Sequence, residues 1–190
     1  MPVLRLLYTL TMYLMTPVIL YRLAARGLRY RRYLSRWRER FGFFPAPEMH
    51  DSSWVHAVSV GEVNAAVPLI EALMLKYPDA PMVVTTVTPT GSERVQNLFG
   101  DRVFHVYLPY DLPASVKRFL DRIRPRFAVI METEIWPNLF ITCRERGIPV
   151  VVTNARLSER SLKGYGPVRP LARRAIRCAN FVAAQSPLDA

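Results

Sequence analysis

From residue 54 to residue 184, short apolar or β-branched runs alternate with stretches whose apolar residues recur every three or four positions. The runs are WVHAV (54–58), MVVTTV (82–87), VFHVYL (103–108), FAVIM (127–131), VVVT (150–153) and FVAA (181–184). Between the first two, residues 62–77 put Val63, Ala66, Val67, Ile70, Leu73 and Met74 on one side of a helix, with Pro68 marking a kink or a late start. Residues 92–99, 114–123 and 138–147 predict further helices. Strand alternating with helix implies right-handed crossovers. The expected fold is therefore α/β, one parallel sheet with helices on both faces. Residues 45–53 (PAPEMHDSS) read as a linker, which gives the sheet domain residues 54–190.

The N-terminal pattern is different. Residues 6–21 are sixteen in a row without a charge, roughly 24 Å as a helix at 1.5 Å per residue. That is short of a hydrocarbon core of about 30 Å. Counting from Met1 defines a segment 1–21, which carries Arg5 to an interface by snorkelling. Spanning the membrane, lying in its interface with Tyr8, Tyr13 and Tyr21, and burial as a core helix are the three readings. Most arginines follow the apolar run, unlike a secretory signal, and this fits an uncleaved anchor with a cytoplasmic basic flank.

Charge sharpens this. The net charge is +11, but residues 22–40 hold eight arginines against one glutamate. Such a basic segment (22–44) calls for an anionic partner: phosphates at a membrane surface, or nucleic acid stacked on Tyr30, Tyr33 and Trp37. Within it, Glu39 is spaced to pair with Arg36. Cys143 and Cys178 lack metal-type spacing and read as reduced thiols of a cytosolic domain.

In a parallel α/β sheet, ligands sit beyond the carboxyl ends of the strands. The loops there are SVGE (59–62), TPTG (88–91), PYD (109–111), ETEIWPN (132–138), NARLS (154–158) and QS (185–186). Gly61 is expected to turn the chain tightly into its helix. Glu62 then takes the position that a bound phosphate occupies in a nucleotide fold, its charge complementing the helix dipole. It is either a site acid or a helix-stabilising one. No G-x-G-x-x-G or Walker lysine follows the first strand, so a nucleotide held in this half is not expected. His56 and His105 read as hydrogen-bonded core histidines, and Ser59 as a cap rather than a nucleophile. Glu132 and Glu134 are either a paired site or solvated loop acids, and Asn154 and Arg156 could meet a hydroxyl or phosphate. No cluster has metal-ligand spacing.

Together RWRERFGFFP, WVHAVSVGEVNAAVPLIEAL, VTTVTPTGSERV, YLPYDLP, METEIWPN and VVTNARLSERS resemble the 3-deoxy-D-manno-octulosonic acid (Kdo) transferases of lipid A assembly. The resemblance implies a GT-B glycosyltransferase with two Rossmann-like domains, of which this chain looks like the N-terminal, acceptor half. It implies transfer of Kdo from CMP-Kdo to a lipid A precursor, with inversion, at the cytoplasmic face of the inner membrane, and no cofactor. The donor is expected to bind mainly through a C-terminal domain, so 190 residues alone are expected to be inactive. Glu62 matches the family's catalytic base, and Glu132 a second acid that stabilises the transition state. Ser59, Gly61, Thr90, Gly91, Glu134, Asn154 and Arg156 are the expected substrate-binding residues. The rival classes are a membrane-anchored scaffold without activity and a basic nucleic-acid module.

Overall fold

The computed structural model describes residues 2–132, 135–155 and 169–184. Six strands are present: β1 (Ser52–His56), β2 (Met82–Thr86), β3 (Phe104–Tyr107), β4 (Pro125–Met131), β5 (Val150–Ala155) and β6 (Phe181–Ala184). They form one sheet in the order β3-β2-β1-β4-β5-β6, every neighbouring pair parallel. The helices are α1 (Pro2–Arg29), α2 (Val60–Lys76), α3 (Pro89–Phe99), α4 (Pro113–Ile123), α5 (Pro137–Glu145) and α6 (Arg169–Ile176).

The period-2 pleat sorts the core into two layers. Trp54, Val83, Val106, Ala128 and Ile130 pack with Phe119 and Leu120 of α4 and Phe140 of α5. Their strand neighbours Val55, Val84, Val129 and Met131 pack with Val63 and Ile70 of α2 and Val95 of α3. Each fully buried aromatic such as Phe119 or Phe140 contributes about 1.5–3 kcal/mol. The parallel α/β sheet expected from the alternation is thus the observed one. α2 begins at Val60 rather than Glu62 and runs through Pro68 unbroken. The sequence pattern did not signal α6, whose RPLARRAI buries only Leu171, Ala172 and Ala175.

Residues 45–53 are not a free linker. Phe44 and Met49 are buried in the core, and Ser52 and Ser53 already belong to β1. The stretch before them is part of the same body. Arg118 donates to the Phe41 carbonyl, and Arg122 to that of Phe44. Glu39 pairs with Arg36 as expected, but it also accepts the Tyr107 N–H at 3.0 Å, while Arg36 donates to the His105 carbonyl at 2.6 Å. β3 is an edge strand, and these two side chains satisfy backbone groups that an open edge would expose.

α1 does not end at Tyr21 but continues through Arg22 to Arg29. It is long and apolar enough to cross a membrane, and its apolar window is not buried in the protein. This removes the core-helix reading. One side of α1 is tied down: Arg5 pairs with Glu145, Thr9 donates to Asn138, and Tyr8 donates to the buried Asp111 at 2.9 Å. Arg5 therefore turns towards the domain instead of snorkelling. The other side shows Leu6, Leu7, Leu10, Leu14 and Tyr21 to the outside, Leu14 and Tyr21 being 73% and 74% exposed.

Candidate active site

The strand order reverses between β1 and β4. From β1 the chain moves through α2 to β2, and from β4 it moves the opposite way through α5 to β5. The crevice beyond the carboxyl ends of β1 and β4 is the switch point where α/β sheets place their ligands. The register pairs His56 with Ile130. Two residues further on, Val58 is level with Glu132.

Glu62 hangs over the end of β1. Ser59 is the N-cap of α2, in extended conformation, but its hydroxyl makes no cap bond. It donates to Glu62 Oε1 at 3.2 Å, while Glu62 Oε2 accepts the Val58 N–H at 2.7 Å. A glutamate in the third position of a helix, reaching back before the cap, resembles half of a capping box. Glu62 as a residue is 8% exposed, and its carboxylate is held from two sides. The helix-start reading and the site reading of Glu62 thus share one geometry.

Glu132 ends β4. Its N–H donates to the Thr153 carbonyl at 2.9 Å, after which the chain enters the left-handed region with φ +58°. Asn154, on the neighbouring strand, does the same with φ +56°. A left-handed turn costs a non-glycine residue roughly 1–2 kcal/mol, and Asn tolerates it best. Two such residues side by side at strand ends mark the kind of place where strain collects at functional sites. Both are half-buried at the crevice edge. Glu134 and Arg156 lie outside the described residues.

The loop after β2 closes over the same strand end. The Val58 carbonyl accepts from Val87 N–H at 3.1 Å, Thr88 N–H at 3.3 Å and Thr88 Oγ1 at 3.3 Å. Thr88 also caps α3 by accepting the Gly91 N–H at 3.1 Å. Gly91 is buried here, and a Cβ on it would lie 3.0 Å from Thr88 Oγ1 and 3.3 Å from the Val58 oxygen. Close packing explains this glycine. Thr90 is exposed one residue before it. Gly61 is the opposite case: it lies in the first turn of α2 without positive φ, and a Cβ there would meet nothing within 4 Å. The turn does not need it.

The two histidines are structural. His56 Nδ1 lies 2.9 Å from Thr85 Oγ1, and burial lowers its pKa to about 4. Burial, with the Arg36 guanidinium beside it, lowers His105 to about 3. Arg36 donates to His105 Nδ1, so Nε2 carries the proton and donates to Thr86 at 2.9 Å. Cys143 is a buried free thiol pushed by burial up to about 12, far from a nucleophile. Among the described residues no group of three His, Cys, Asp or Glu could hold a metal. A cavity of about 710 Å³ around Tyr77 and Arg102 is at the amino end of the sheet, away from this crevice.

Sequence reasoning passed over Asp111. Its carboxylate accepts from the backbone N–H groups of Asn138 and Leu139 and from the Tyr8 hydroxyl, capping α5 and holding α1 at once. Its signal was an aspartate in the PYD loop at a strand's carboxyl end, and only the fold brings it to α5.

A family profile described as 3-deoxy-D-manno-octulosonic-acid transferase (kdotransferase) matches residues 35–190. A 3-deoxy-D-manno-octulosonic acid transferase of Haemophilus influenzae is 45% identical over 170 residues, 87% of this chain and 39% of the relative. The corresponding transferase of Bordetella pertussis is 36% identical over 192 residues, 89% of this chain and 44% of the relative. That of Chlamydophila psittaci is 33% identical over 153 residues, 78% of this chain and 34% of the relative. The chain thus spans well under half the length of these relatives. With the switch-point crevice and its matching motifs, these similarities place the chain in the 3-deoxy-D-manno-octulosonic acid (Kdo) transferase family.

Proposed function

We propose that this chain is the acceptor half of a glycosyltransferase that moves Kdo from CMP-Kdo to a hydroxyl of a lipid A precursor, with inversion. The observation that carries the reading is Glu62, a buried carboxylate held by Val58 and Ser59 at the β1–β4 switch point. In the reaction the acceptor oxygen bonds to the anomeric carbon as the bond from that carbon to the CMP phosphate oxygen breaks. Glu62 takes the hydroxyl proton, and CMP leaves with the bonding electrons. The anomeric carbon gains oxocarbenium character in passing, and Glu132 on the neighbouring strand end is suited to stabilise it. Thr90, Asn154 and Arg156, with Glu134, would orient the acceptor, while Ser59 positions Glu62. Gly61 would leave room for the acceptor above the first turn of α2.

The membrane reading is part of this proposal. α1 lies in the cytoplasmic interface of the inner membrane rather than across it. At one end Arg5 pairs with Glu145, and at the other Arg26 lines a cavity with Tyr110. A helix whose two ends touch the same domain cannot place one of them beyond about 30 Å of hydrocarbon. Its outward stripe of Leu6, Leu10, Leu14 and Tyr21 faces lipid, as in an interfacial amphipathic helix.

The test of the chemistry is Glu62→Gln in the two-domain enzyme. Glutamine keeps an acceptor for the Val58 N–H but is no base. Turnover is expected to fall by roughly 100-fold or more with acceptor binding little changed. Near-normal turnover would reduce Glu62 to a helix-start acid worth about 0.3–1 kcal/mol.

A further inference from the structure

A cavity of about 210 Å³ opens between α1 and the loops that follow β2 and β3. Arg22 and Arg26 of α1 and the buried Arg40 line it, together with Tyr33, Tyr110 and Thr88. Ile19 and Leu23 form its apolar wall on the α1 side. Among the described residues none of the three arginines has a carboxylate partner. The nearest acid in sequence, Glu39, is already taken by Arg36 and the Tyr107 N–H.

Arg40 is the telling residue. It is 3% exposed and stacks on Tyr107 at 4.3 Å. Its Nη2 donates to the Val87 carbonyl at 2.9 Å, and its buried Nε has no acceptor. A buried guanidinium without a counter-charge is costly to fold around. An anion in the cavity would supply the missing charge. The charges also act on Tyr110, whose hydroxyl burial pushes up and Arg40 and Arg26 pull down.

We propose that this cavity is a binding site for a phosphate monoester. Three guanidinium groups and two phenolic hydroxyls suit a dianion with several acceptor oxygens, and Arg matches phosphate geometry better than Lys. The volume is below that of pockets that enclose whole drug-sized ligands, so it takes a headgroup rather than a sugar lipid. Its wall, Val87–Thr88, hydrogen-bonds the Val58 carbonyl, and the Val58 N–H binds Glu62. A phosphate held here would therefore fix a molecule whose hydroxyl reaches the crevice. The site deepens the acceptor reading above and rests on it only for what carries the phosphate.

The full-length protein in phosphatidylcholine nanodiscs is titrated calorimetrically with inorganic phosphate, dihexanoyl phosphatidic acid and dihexanoyl phosphatidylglycerol. Saturable binding of phosphatidic acid is expected at pH 7.5, weakening towards pH 5 as the monoester takes up its second proton near about 6. The double substitution Arg22→Gln and Arg26→Gln should weaken it at least tenfold. Arg38→Gln, on an exposed residue outside the cavity, should leave it unchanged. Tighter binding of phosphatidic acid than of phosphate assigns the site to a lipid-borne group; equal binding assigns it to a soluble one. The proposal is overturned if the diester phosphatidylglycerol binds as well as the monoester, or if Arg38→Gln and the double variant lose equally. Glu62→Gln should retain phosphate binding while losing turnover, so failure of the base assignment and failure of this site are told apart.

Discussion

Gly61 and Gly91 occupy the first turns of neighbouring helices, yet their surroundings are opposite. The fold leaves open space where a Cβ on Gly61 would point, and a helical glycine is about 0.5–1 kcal/mol less stable than alanine. Gly61→Ala should therefore raise the unfolding midpoint, while lowering turnover of the two-domain enzyme if the acceptor uses that space. Gly91→Ala should do the reverse to stability. Its Cβ would displace Thr88 Oγ1 from the cap of α3, at a cost of about 1 kcal/mol. Denaturant unfolding of both variants checks the pair, and equal effects would contradict the packing described. The histidines give a pH-dependent companion. His56 and His105 titrate lower in the folded chain than in the unfolded one, so the unfolded chain binds more protons below about pH 6.5. Their contribution is complete above that pH and is lost as pH falls towards the folded values near 4 and 3. With two protons at stake, the slope of stability approaches roughly 2.7 kcal/mol per pH unit near pH 5. Replacing both by glutamine should flatten the slope between pH 6.5 and 5. A slope that persists would assign it to other groups.

At the scale of elements, alternation made the sheet legible because each strand is a short β-branched run buried on both faces, as Val83 and Val84 are. The crevice was legible too, since loops after parallel strands are where ligands sit, and Glu62, Glu132 and Asn154 all stand there. What the sequence hid was tertiary. The charge excess of the basic stretch did not reveal that Glu39 and Arg36 cover the edge of β3 or that Arg40 is buried. Charge counting cannot separate an arginine that meets a carbonyl from one that meets solvent. Nor could periodicity show that Tyr8 reaches Asp111, a contact across 103 residues. That contact makes the placement of α1 testable. Pro2→Cys, combined with Cys178→Ser to remove the partly exposed thiol, gives one reactive thiol near the helix start. In vesicles with the sheet domain outside, a helix lying in the interface lets a membrane-impermeant maleimide label it from outside. Labelling that requires opening the vesicles would mean that α1 spans.

For the molecule as a whole, the distribution of charge bears on which substrate the proposed function would have this chain hold. CMP-Kdo carries a phosphodiester and a carboxylate, both negative. The crevice of this chain offers Glu62 and Glu132 at the ends of adjacent strands, and no glycine-rich loop or Walker lysine follows β1. Two unit charges 4 Å apart interact by about 4 kcal/mol at an effective dielectric of 20. Like charges at this switch point therefore oppose donor binding instead of providing it. The cavity beside α1 does not compensate, because its chemistry selects a monoester and the donor phosphate is a diester. On the proposed function, the binding energy for CMP-Kdo is therefore expected from outside this crevice. The expected result is that these 190 residues bind CMP-Kdo at least 100-fold more weakly than a two-domain chain of the family, measured by calorimetry in the same detergent. Deleting 1–21 from either should leave this ratio unchanged, since none of the proposed crevice residues lies in that segment. Comparable affinity for the short chain would overturn the division of labour, and would direct the search for cationic donor contacts to Arg156, Arg160 and Lys163, which lie outside the described residues.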